Sequence, residues 1–335
     1  MSHYMSIELV LSVADIQIAA SKSLSSSARE FYDAGSTTQV TVKDNSPAYS
    51  KYWLLPRVLV DVSTRDTRIS LFGQKIGFPL CVSPAGTQAM AHLDGELATS
   101  TACVTRNMHI GVSSSSNQSI EEVRAAGMAA GSTQQHVMQL YMMKDRDAQL
   151  HITRRAEEAG CAAVSLTADS PVLGARCNEP RNQFRIPEGL SLPMLERTSE
   201  AIQAQTHEDV FATINSKSHS WAEEIPWLRS VTKMQVRIKG VLTPEDVELA
   251  IQYQCDGVIF SNYGGRQLDE TPATIDVLQD CAKAAEGRIR VHIDGGIRTG
   301  TDISKHCILG RSASGWEGLL SGDLLIMKRR EYRRC

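Results

Sequence analysis

The chain has 335 residues, 42% of them hydrophobic, and its 35 Lys and Arg against 38 Asp and Glu give a formal net charge of −3. That is enough apolar material for a full core and no electrostatic footprint for nucleic acid, although Met327 to Cys335 carries five basic side chains. The eight cysteines are scattered without C-x-x-C or zinc spacing, no stretch would span a membrane and no secretion signal opens the chain; the expectation is a cytoplasmic protein with no metal, membrane or nucleic-acid partner.

Residues 1–55 read as a helical cap, with helical spacing from Ala14 to Ala34 closed by Gly35. From Val58 onward strand-like and helix-like segments alternate. The apolar, β-branched runs predict strands at Pro79–Ser83, Ile110–Ser113, Val137–Tyr141, Ala162–Thr167, Val236–Lys239, Gly257–Phe260 and Ile289–Ile293. Between them, amphipathic spacing predicts helices at Leu93–Arg106, Ser119–Ala126, Asp145–Ala159, Thr243–Gln254 and Thr274–Ala285. Repeated strand and helix units without a break in composition predict an α/β fold, one TIM (β/α)₈ barrel over residues 56–310 that forms a single domain with the cap. Residues 185–230, rich in Ser, Thr, Glu and Gln, read as a mobile loop over the site. Residues 311–335 form an off-pattern tail.

Two runs carry the chemistry: S-N-Y-G-G-R-Q-L-D at Ser261–Asp269 and H-I-D-G-G-I-R-T-G-T-D at His292–Asp302. Each follows a buried-strand pattern, so each falls at the C-terminal edge of a barrel strand, where such barrels place their active sites. Arg266 and Arg298 offer planar forks for a carboxylate or phosphate, and the paired glycines 264–265 and 295–296 let an anion approach backbone N–H groups. A phosphorylated cofactor beside an anionic substrate is the expectation.

On these runs, with L-G-A-R-C-N-E-P-R-N-Q-F and T-A-D-S-P, the chain resembles the FMN-dependent α-hydroxy acid dehydrogenase family of glycolate oxidase, lactate oxidase and flavocytochrome b2, fungal members above all, from about residue 28 to 310. The resemblance implies FMN held by Pro84, Ala85, Gly86, Ser113, Gln139, Tyr141, Thr167, Lys239, Ser261, Asp294, Gly295, Gly296 and Arg298. It makes Lys239 the cation beside the flavin, Arg176 and Arg266 the clamp on a small carboxylate substrate with Tyr141 and Phe31 beside them, and Asp169 the support of the catalytic base. Relatives imply a homo-oligomer, a tetramer, with electrons passed to O₂ or another acceptor. A barrel of the IMP dehydrogenase kind shares D-G-G-I-R-x-G but does not account for Arg176 or for S-N-x-G-G-R-Q-L-D.

Three departures bear on function. Tyr263 stands where the family has its base histidine, and a phenol with a reference pKa of about 10 is a poor base at neutral pH. Phe31 stands where the family has a substrate-facing tyrosine. The tail lacks the family's G-R ending and no longer shows an S-K-L peroxisomal signal; a change of frame near residue 310 is the expectation, leaving the last βα unit missing or out of frame and Gly295, Gly296 and Arg298 to hold the phosphate. Three functions follow: oxidation of a 2-hydroxy acid to a 2-oxo acid, dehydrogenation of a carboxylated cyclic amine or imine in fungal secondary metabolism, or a catalytically impaired barrel.

Overall fold

The computed structural model describes residues 10–131, 135–197, 200–201 and 204–310, and the backbone of 316–321. Eight strands, β1 (Leu80–Val82), β2 (Ile110–Val112), β3 (His136–Tyr141), β4 (Ala163–Thr167), β5 (Gln235–Val241), β6 (Gly257–Phe260), β7 (Arg290–Ile293) and β8 (Trp316–Ser321), pair in parallel and close into a barrel. The first seven stand where the apolar runs predict them, within a residue or two. Every residue of β4 and β6 is buried, because helices cover the outer face and side chains fill the inner one.

The helices α1 (Gly95–Thr105), α2 (Ile120–Ala129), α3 (Arg146–Glu158), α4 (Trp221–Val231), α5 (Pro244–Gln252), α6 (Thr274–Ala285) and α7 (Gly300–Leu309) each follow the strand of the same number. Their starts are written in the sequence. Ser119 with Glu122 and Thr299 with Asp302 form capping boxes for α2 and α7, and Thr243 caps α5 with Pro244 in its first turn.

The tail corrects the expectation of a missing last strand. Leu319 pairs with Leu80 on one side and with Ile293 on the other, so β8 closes the barrel and leaves no open edge between β7 and β1. Residues 311–315 and 322–335, the rest of the tail, lie outside the described residues. The excursion at 185–230 is also more structured than a loop: it carries the helix His207–Ile214 and all but the last residue of α4. Pro226 inside α4 masks the helix at the level of pattern, since proline normally ends one.

The cap breaks into two helices, Val13–Ser23 and Ser26–Asp33, because the Ser25 hydroxyl accepts from Ala28 N–H at 3.2 Å and starts the second. The chain then crosses the C-terminal rim of the barrel. There Asp269 accepts from the Thr37 hydroxyl at 2.7 Å and from Thr41 N–H at 2.9 Å. Gly296 has φ +75°, and a Cβ on it would lie 2.1 Å from the Asn45 carbonyl oxygen. Only glycine permits that approach. At the opposite end, the hairpin of Ile69–Leu71 with Gln74–Ile76 covers the barrel floor, the face of Phe72 lying 4.4 Å from the Arg237 guanidinium. Among the described residues no helix is long and apolar enough to cross a membrane.

Candidate active site

At the C-terminal ends of the strands lies a cavity of about 310 Å³, roofed by the cap and the excursion. Its floor is built from strand ends and the loops after them. The Gln139 amide in β3 is locked from both sides: Oε1 accepts from Ser114 N–H at 3.1 Å and Nε2 donates to the Thr167 hydroxyl at 3.0 Å. Gly86 lies against Ser115, whose backbone oxygen would be 3.0 Å from a Cβ at that position. These groups form a flat, polar wall without bulk.

Lys239 supplies the positive charge. A register shift between Lys239 and Val241 bends β5 at Gly240, whose φ is +107° and whose missing Cβ would collide with the Asp169 carboxyl at 2.5 Å. Just before this bend the Lys239 ammonium contacts Asp294 Oδ2 at 2.9 Å and donates to Ser261 Oγ. Burial works against its charge, but Asp294 and Asp169 outweigh that and hold Lys239 above its ordinary 10.5. Asp294 also accepts from the Ser83 hydroxyl at 2.8 Å.

Asp169 is the outlier of this cluster. Among the described residues neither carboxyl oxygen has a hydrogen-bond partner, and burial, reinforced by the charge of Asp294 against the pull of Lys239, lifts it to about 7. A carboxyl that holds its proton more tightly folded than unfolded adds stability that is full below its ordinary 3.8 and is lost as pH rises towards 7. Stability is therefore expected to fall between pH 4 and 7 by up to about 4 kcal/mol from this group. Urea midpoints across that range should show the slope in the wild type and a flatter one in Asp169→Asn; equal slopes would refute it.

On the roof, Arg176 and Arg266 both reach the cavity. Arg176 Nη1 donates to Glu179 Oε1 at 3.1 Å, while its Nε is buried without a partner among the described residues. Arg266 Nη1 donates to carbonyls at the end of the second cap helix, Ala34 O at 3.0 Å among them, with its guanidinium 5.0 Å from the Phe31 ring. Burial, then the like charge of Arg176, pushes Arg266 down to about 9. Tyr263 follows β6 with φ +56°, and its hydroxyl meets that of Tyr141 at 2.5 Å. Burial, together with Tyr263, moves the Tyr141 phenol well above its ordinary 10.0.

Most residues singled out in the sequence converge here: Phe31, Pro84, Ala85, Gly86, Ser113, Gln139, Tyr141, Thr167, Arg176, Lys239, Tyr263, Arg266, Asp294, Gly295 and Arg298 line the cavity. Asp169, Ser261 and Gly296 stand behind its wall. Asp169 makes no hydrogen bond to Tyr263, Ser261 holds Lys239 and accepts from Tyr263 N–H at 3.1 Å, and Gly296 is already required by the cap. Sequence reasoning missed His207, Glu179 and the apolar roof of Ile186, Leu192, Val210 and Phe211. Thr206 with Asp209, a capping box just ahead of an apolar run, is the signal that could have found the roof helix. Tyr32, next to Phe31, also lines the cavity and donates its hydroxyl to Thr87 O at 2.6 Å.

The flat polar wall, the buried ammonium and Arg298 beside the α7 N-terminus suit a flat, hydrogen-bonding, phosphorylated group. Comparison with known proteins agrees. The family model described as FMN-dependent dehydrogenase matches residues 20–315. Oxidase FUB9 of Fusarium oxysporum f. sp. lycopersici is 38% identical over 301 residues, covering 90% of this chain and 77% of the relative. 2-Hydroxyacid oxidase 1 of Mus musculus is 38% identical over 308 residues, covering 90% and 82%. Among solved structures, mandelate oxidase with (S)-4-hydroxymandelic acid superposes with a TM-score of 0.83 at 32% identity, covering 94% of this chain and 86% of that one. With its barrel, its cavity and its cofactor FMN, the chain belongs to the FMN-dependent dehydrogenase family.

Proposed function

We propose that this protein oxidises the carbon next to a carboxylate, on a substrate that carries a bulky apolar group, and passes the electrons to O₂ or another acceptor. One observation carries the reading: two guanidiniums, the buried Arg176 and the half-buried Arg266, share one pocket with Lys239. Like charges held together away from water favour an anion between them. Arg176 Nε has no partner among the described residues, which leaves a donor for the substrate carboxylate. Beside the arginines, Phe31, Val210 and Phe211 give the same cavity an apolar lining, suited to an aromatic or branched substituent.

FMN, when bound, accepts the hydride equivalent. The protein's own residues do the rest. Arg176 and Arg266 bind and orient the carboxylate, Pro84 to Gly86, Ser113, Gln139 and Thr167 would form the wall that holds the cofactor, and Arg298 with Gly295 would hold its phosphate. Lys239 provides the cation where negative charge develops. The roof helix His207–Ile214 and Phe31 exclude water.

A second reading, dehydrogenation at a carbon bonded to nitrogen, is favoured by Tyr263, because a neutral amine can give up hydride without first losing a hydroxyl proton. The test is anaerobic mixing of the FMN-loaded protein with glycolate, (S)-lactate, (S)-mandelate, L-proline and L-pipecolate, followed by the loss of flavin absorbance. Bleaching by (S)-mandelate ahead of glycolate is the expected result. Bleaching by a cyclic amino acid alone, with no gain on any hydroxy acid in Tyr263→His, would establish the second reading. No bleaching by any of the five would leave an impaired barrel.

A further inference from the structure

The family's base position is Tyr263, and its hydroxyl is taken up by Tyr141. A different imidazole opens on the same cavity. His207 begins the roof helix, whose first turn is fixed by the box of Thr206 and Asp209 and whose far end is tied to the exit of β3 through Lys144 N–H to Ile214 O at 2.9 Å and Ser216 N–H to Met142 O at 2.9 Å. The ring is set by aromatic neighbours, Phe31 at 5.6 Å and Phe184 at 6.4 Å between centroids.

Its protonation pattern is set as firmly as its position. His207 Nδ1 lies 2.9 Å from Glu179 Oε2, and Glu179 is ionised: burial would raise it, but the hydrogen bond from His207 and the charge of Arg176 bring it down to about 2. A carboxylate can only accept, so Nδ1 carries a proton, and in the neutral imidazole the lone pair lies on Nε2. Nε2 has no hydrogen-bond partner among the described residues. Arg176 Nη1 is 3.4 Å from Nδ1, so a carboxylate gripped by Arg176 brings its α-substituent, a bond or two further on, to the same side of the pocket.

We propose that His207, oriented by Glu179, is the general base of this site, in place of the position held by Tyr263. The assignment rests on the oxidation proposed above. On a 2-hydroxy acid, His207 Nε2 takes the hydroxyl proton as the α C–H bond breaks; the C–H electron pair leaves with hydrogen as a hydride equivalent to the flavin, and C–O becomes C=O. On an amino acid the same nitrogen first removes an ammonium proton, and C–N becomes C=N. The charged groups facing His207 are Glu179, Arg176 and Arg266; burial, then the arginines, lower its affinity for a proton against the opposing pull of Glu179, which keeps it an acceptor at neutral pH.

The test uses FMN-loaded wild type and His207→Gln, with the five-compound panel as substrates and oxalate as a non-oxidised probe of the arginine clamp. Wild-type flavin reduction should rise with pH through an ionisation below 6.5 and then level off. His207→Gln should slow reduction by about 100-fold or more and lose that rising limb, while oxalate, read from the flavin spectrum, binds within threefold of wild type. Asp169 ionises close above this range, at about 7, so the limb must vanish in His207→Gln and persist in Asp169→Asn. A His207→Gln rate within threefold of wild type, or a retained limb, overturns the assignment. A wild type that no panel member bleaches overturns the oxidation reading, and the base assignment falls with it.

Discussion

Lys239→Met is expected to destabilise the fold by about 3–5 kcal/mol and to release much of the FMN. The side chain is a near match in shape, so the loss is one of charge. Lys239 is the only cation in contact with Asp294 among the described residues, at 2.9 Å, and it also opposes the charge of Asp169. Taking it away leaves two carboxyls shielded from water around an apolar stem, the situation in which breaking a buried pair costs most. Without Lys239, which now opposes the rise, Asp169 should hold its proton to still higher pH, so the variant should recover part of its stability on acidification. Urea midpoints at pH 5 and 8, with flavin content measured on the same samples, decide the matter. A loss under about 1 kcal/mol with full flavin would mean that Lys239 is not the centre of this cluster.

Arg176→Leu should weaken oxalate binding by about 100-fold, as expected for losing charge-assisted hydrogen bonds worth about 3 kcal/mol. A second effect follows from Glu179. Without the guanidinium, its carboxylate keeps His207 as its ion partner, and the imidazole should gain a proton more readily. The rising limb of the pH profile therefore moves up in Arg176→Leu, whereas a substitution that only weakened binding would leave it in place. Unchanged oxalate affinity would show that Arg266 alone grips the anion.

Much of this was readable from the chain. Strands β1 to β7 declare themselves because each is a short apolar run covered on both faces, and the helix starts at Ser119 and Thr243 declare themselves through local hydrogen bonds, whereas α7 after Thr299 was not predicted. What escaped has a common cause: it depends on residues far apart. Glu179 and His207 are separated by 28 positions and look like two ordinary surface residues until the roof helix folds back over the barrel. Gly296 reads as an opening for an anion, yet its neighbour is Asn45 in the cap. β8 carries little strand pattern, and its place comes from the gap that β7 and β1 leave. Pro226 argued locally against a helix that the β4-to-β5 crossover requires.

Arg266 holds the chain end of the second cap helix with one arm of its guanidinium and faces the cavity with the rest. An anion arriving in the pocket therefore tightens a latch that lies outside it: as the bound charge settles Arg266, it settles the three carbonyls of Phe31, Tyr32 and Ala34 as well. Occupancy should be legible as protease resistance in the first fifty residues, far along the chain from the motifs that bind the ligand, and crude digestion patterns could rank candidate substrates before any turnover is seen.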